Sequence, residues 1–226
     1  MPSVGKRNKF LWWAGIFLAG LSALASPTFL PLPVLLLALY FNWRLPPARS
    51  AGLRLGLATL IGAFLLEFGA WLNNYILNEP QPALFHPQLI PDLIISVGVY
   101  SAWWLVWWFL LRRFAFRTGE VFWLTGLYGV LIEQLGKVFI AGLQTFPLGL
   151  LMWLYVAVAY GSAMGLAHQL AGDAFTAQRR AWWKGLLAWA GLLVTTFATS
   201  ILWGGLLDLL QFLPPEKLPM RSFPFW

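Results

Sequence analysis

Five stretches of this chain, 55–77, 93–111, 120–141, 148–171 and 185–212, are overwhelmingly apolar and close to the length a helix needs to cross a bilayer. A hydrocarbon core of about 30 Å takes about 20 helical residues. A sixth stretch, 10–43, carries no charge at all, but Pro27, Pro31 and Pro33 interrupt it. One straight helix of that length would reach about 50 Å, too long for a single crossing. Two short helices over 10–25 and 29–43, joined by a turn at 26–28, fit better, and a re-entrant hairpin is the alternative. The fold class expected is therefore all-α: a polytopic transmembrane bundle of about seven spans.

The charges between these stretches support the division. Lys6, Arg7 and Lys9 precede the first helix, and Arg44, Arg49 and Arg54 follow the second. Arg112, Arg113 and Arg117 follow the fourth, and Arg179, Arg180 and Lys184 follow the sixth. These groups hold twelve of the fifteen basic residues, and the three intervening loops hold none. The positive-inside rule then predicts a cytoplasmic N-terminus and an external C-terminus, in a multi-pass protein of the cell membrane, of prokaryotic inner-membrane type. A second reading of the start is a cleavable signal peptide: a basic 6–9, an apolar run, then Ala23-Leu24-Ala25.

Only ten percent of the residues are charged and sixty percent are apolar, which excludes an ordinary soluble domain. The net charge of +7 is divided among loops rather than gathered in one patch, so nucleic acid is not an expected partner. With no cysteine there is neither a disulfide nor a thiolate metal site. Of fifteen tryptophans, Trp43, Trp123, Trp182 and Trp183 lie beside span ends, where an indole can sit among headgroups. The chain reads as one integral membrane domain, 1–226. It has a proline-rich external cap over 78–91 and an external tail over 213–226, whose Phe223, Phe225 and Trp226 are expected on the bilayer surface.

Charges within spans point to candidate sites, because an ionisable group at mid-bilayer needs a partner or water. Glu67 lies at the middle of the third span, with Asn74 seven residues on and Asn73 and Asn78 nearby. Glu133 and Lys137 lie in the fifth. In a continuous helix their spacing of four would place them on one face as an ion pair. Glu67, Asn74, Glu133 and Lys137 are thus the candidate ligand-binding residues, with Glu67 expected to face the fifth span. Asp92 reads as an N-cap, His86 as a solvated loop residue, and His168 as a capping or paired group. No metal or cofactor is expected.

Glu133-Gln134 and the segment ending at His168, MGLAH, are similar to the paired-glutamate and F-x-x-x-H motifs of CAAX-type intramembrane proteases. The resemblance covers the segment from Glu133 to His168 alone. Gln134 stands for the second glutamate, Met164 for the phenylalanine, Lys137 is at the wrong offset for the family's arginine, and no histidine follows His168. Helical rise also separates Glu133 and His168 by more than roughly 10 Å in depth. Three functions remain as expectations. The first is a binding or transport-type protein with an externally opening pocket for a lipid-like amphiphile. The second is a structural or assembly subunit packed against a membrane-protein partner or pigments. The third is a degenerate membrane enzyme of the protease type.

Overall fold

The computed structural model describes residues 9–80, 82–177, 179–213 and 217–226, so Lys6 and Arg7 of the first basic group lie outside the described residues. Among the described residues there is no strand, and there are eight α-helices: α1 Lys9–Ala25, α2 Pro31–Tyr40, α3 Ala51–Leu77, α4 Leu89–Leu111, α5 Thr118–Ile132, α6 Lys137–Gln144, α7 Gly149–Ala171 and α8 Lys184–Leu209. Five helical segments are long and apolar enough to cross a membrane: α3, α4, α5 with α6 taken together, α7 with its final turn, and α8. The expected all-α membrane bundle is what the chain forms.

The helices run alternately between two ends. One gathers the arginine-rich connections and is called the basic end here; the other carries the loop after α3 and the C-terminal tail, and is called the cap end. The basic end is tied by Leu45 N–H to the Leu170 carbonyl, 2.9 Å, and Ala115 N–H to that of Arg179, 3.0 Å. Arg54, nearly buried, reaches Asp173 from α3 at 3.1 Å, and Lys184 meets Glu120 at 2.7 Å.

α7 is the central helix, packed against α2, α3, α5 and α6. Its run Gly161, Ser162, Ala163, Met164, Gly165 is wholly buried. Small residues let helix backbones approach where lipid gives no hydrophobic drive to association. The closeness is set from both sides: a Cβ on Gly62 of α3 would meet the Ala163 carbonyl, and one on Gly126 of α5 the Ala157 carbonyl.

The first apolar stretch divides where its prolines require. Pro27–Phe29 forms one 3-10 turn, and Pro31 starts α2 at a position where a missing N–H costs nothing. α2 has ten residues, about 15 Å, half a hydrocarbon core. The turn lies inside the bundle. Ser26 Oγ is 3.0 Å from Tyr155 Oη of α7, six residues or about 9 Å short of that helix's cap-end terminus. At the other end of α2, Gln169 Nε2 donates to the Ala38 carbonyl at 3.3 Å. The hairpin of α1 and α2 thus has its tip inside the bundle, short of the cap end.

At the cap end the tail folds onto the loop. The N–H groups of Leu89 and Ile90 donate to the Pro224 and Phe225 carbonyls at 3.0 Å each, and Gln88 Nε2 donates to Leu218 O at 2.6 Å. Phe225 stacks on Trp71 with ring centroids 6.1 Å apart, and Trp226 meets Phe212 edge-on.

Candidate functional site

Glu67 is almost fully buried in α3, and Tyr100 of α4 donates its hydroxyl to Glu67 Oε1 at 2.6 Å. Glu133, at the end of α5, is held in the same way: Tyr160 of α7 donates to Glu133 Oε2 at 2.5 Å. Each pair answers the cost of placing a carboxyl in an apolar interior with one strong donor. The two tyrosines converge on Trp103, whose ring centroid is 5.3 Å from that of Tyr100 and 5.4 Å from that of Tyr160. Tyr100 and Trp103 are three apart on α4 and so share a face. Trp103 is fully buried, and its indole N–H donates to Thr196 Oγ1 of α8 at 3.2 Å.

These groups line a cavity of about 680 Å³, within the usual range for small-molecule sites. Glu67, Glu133 and Lys137 are all on its wall, together with Pro82–Phe85 of the cap and Phe197, Ser200 and Ile201 of α8. Glu67 therefore faces other helices, but its direct partner comes from the fourth span rather than the fifth. Tyrosines in apolar runs were the available signal, since a buried phenol needs a hydrogen-bond partner.

The fifth span is not one continuous helix. Gln134 (φ 49°), Leu135 (φ 58°) and Gly136 (φ 86°) lie consecutively in the left-handed region. For Gln134 and Leu135 that conformation costs roughly 1–2 kcal/mol each. Non-helical backbone at membrane depth is tolerated where it lines a cavity or is buried in protein, and Gln134 and Leu135 line this one. The break also removes the expected ion pair. Glu133 and Lys137 no longer sit one helical turn apart, Glu133 bonds Tyr160 instead, and the ion pairs of Arg44, Arg54 and Lys184 lie at the basic end.

Asn74 is placed elsewhere. Seven residues carry it about 10 Å along α3 from Glu67, beyond the cavity wall. Its amide donates to the Ala70 carbonyl at 2.8 Å, and it lines a separate cavity of about 560 Å³ between cap and tail, with Asn78, Lys217 and Arg221.

The His86 and Asp92 readings change, whereas His168 is paired as expected. Gln88, not Asp92, is the N-cap residue of α4. Asp92 is fully buried one turn in, and its Oδ1 accepts the His86 backbone N–H at 3.0 Å. His86 is buried rather than solvated, and its imidazole is pushed below its usual pKa by burial and then by Lys217. Its Nδ1 accepts from the Gln88 N–H at 3.2 Å, so Nε2 carries the proton of the neutral ring. His86 Nε2, Gln88 Oε1 and Asp92 Oδ2 have no hydrogen-bond partner among the described residues. His168 pairs with Thr118 at the basic end of α5, 3.0 Å. The fifteen residues of α5, about 22 Å, lie between that contact and Glu133. Among the described residues no three His, Cys, Asp or Glu side chains cluster as metal ligands.

No family of known proteins, no curated protein and no solved structure matches this chain.

Proposed function

We propose that the protein is a membrane-embedded binding protein of transport type, whose pocket takes the polar head of a lipid-like amphiphile. The observation that carries this reading is the convergence of Glu67, Glu133 and Lys137 on one cavity among apolar helices. Concave apolar sites with a few polar groups are where ligands bind, and ionisable groups at membrane depth mark ligand or ion paths. The broken helix between α5 and α6 adds support, because discontinuous spans recur at substrate sites of transporters. Mild extraction followed by mass spectrometry of the purified protein tests it. About one retained amphiphile per chain is the expected result. A stoichiometric protein partner with no small molecule would instead make this a structural subunit and overturn the proposal.

The cap end faces the outside in this reading and the basic end the cytoplasm, following the distribution of Lys and Arg. Single cysteines report directly, since none is native. Cysteines at Gln144 and Ser222 are expected to react with an impermeant maleimide on intact cells. Those at Ser50 and Thr176 should react only after permeabilisation, and the reverse pattern would invert the protein.

A further inference from the structure

The cavity wall carries two carboxyls against one amine, and the carboxyls are presented unusually. Tyr100 and Tyr160 each engage one oxygen of a glutamate, Oε1 of Glu67 and Oε2 of Glu133. No described donor engages the other oxygen of either. Both remaining oxygens belong to side chains on the cavity wall, and both glutamates are tied through their tyrosines to the single indole of Trp103. The wall therefore combines hydrogen-bond acceptors with an aromatic cluster.

That combination selects a charge sign. Carboxylate oxygens accept from an ammonium, and aromatic faces attract cations through their quadrupole. An anionic head would meet two acidic side chains with Lys137 alone to offset them. A primary ammonium also brings three N–H donors to a wall that holds two carboxyl groups and the hydroxyls of Thr196 and Ser200. The apolar remainder, including Phe197 and Ile201, suits the attached chain.

Resting on the pocket reading above, we infer that the cavity is a site for amphiphiles bearing a primary ammonium head, with Glu67 and Glu133 as its acceptors, oriented by Tyr100 and Tyr160, and with Phe85 and Phe197 as the aromatic side chains open to it. Lys137 has the same chemistry as the ligand head and stands on the same wall, so it competes with it.

The test is isothermal titration of the full chain in phosphatidylcholine nanodiscs, with empty nanodiscs subtracted. Dodecylammonium, dodecanol and dodecanoate provide one chain with three heads. Dodecylammonium is expected to bind about 10- to 100-fold more tightly than dodecanol, the range of one charge-assisted hydrogen bond. Dodecanoate is expected to be weakest. Combining Glu67→Gln with Glu133→Gln is expected to remove the ammonium preference, while Lys137→Met strengthens dodecylammonium binding. Equal binding of all three heads, or a preference for dodecanoate, would overturn the ammonium assignment and leave the pocket standing. Absence of saturable binding for every head in the unmodified protein would overturn the pocket with it. The head-group comparison needs no variant, so a double substitution that fails to fold leaves the test decisive.

Discussion

Trp103→Ala is expected to destabilise the protein by about 3–5 kcal/mol, the range for truncating a fully buried large aromatic. The indole is completely enclosed, with Tyr100, Tyr128 and Tyr160 packed within 6 Å of its centroid. Its removal enlarges a cavity that α3, α4, α7 and α8 already border, and no neighbouring helix can close the gap without disturbing the two tyrosine–glutamate bonds. Saturable amphiphile binding should disappear in the same variant. Trp103→Phe keeps most of the ring volume and gives up the 3.2 Å bond to Thr196, so it should lose about 1 kcal/mol beyond the smaller ring. Unfolding by dodecyl sulfate titration, or by steric trapping in bicelles, measures both. A loss below about 1 kcal/mol for the alanine variant would mean that the indole does not organise the site.

Gly126→Leu is expected to cost about 3 kcal/mol, the upper end of overpacked cores. Even a single Cβ on Gly126 would press on the backbone carbonyl of Ala157. The obstacle is main chain, so no rotamer change relieves it and α5 must move away from α7. Gly126→Ala should therefore already be harmful, although alanine is the better helix former. Gly204→Leu on α8 provides the control, because nothing lies within 4 Å of a Cβ there and the site is exposed. Its stability should stay within about 0.5 kcal/mol of the parent. If the two leucine variants unfold alike, the close approach of α5 and α7 is not what holds the bundle.

The difference between these glycines is invisible in sequence, since both lie in apolar helical runs. The sequence by itself determined the helical membrane architecture, because hydrocarbon length and the cost of unpaired backbone in lipid leave few alternatives to about 20-residue apolar helices. It also determined that Glu67, Glu133 and Lys137 needed an interior setting, since a charge is expensive against lipid at any position of the chain. Tertiary structure decided their partners. A tyrosine among Val, Ser and Trp carries no mark of the carboxyl it will meet, so the Tyr100–Glu67 and Tyr160–Glu133 bonds required the packing of α4 and α7. Helical periodicity predicted an ion pair four residues apart, and it failed where Gln134, Leu135 and Gly136 leave the helix. That departure brings Glu133 to Tyr160 and turns the span's backbone onto the cavity. Asn74 followed Glu67 in angle but not in depth, because seven residues advance a helix by about 10 Å. Spacing along one helix measures local neighbours, whereas a site assembled from α3, α4, α5, α7 and α8 depends on distances between helices, which small residues such as Gly62 and Gly126 set only once their partners are in place.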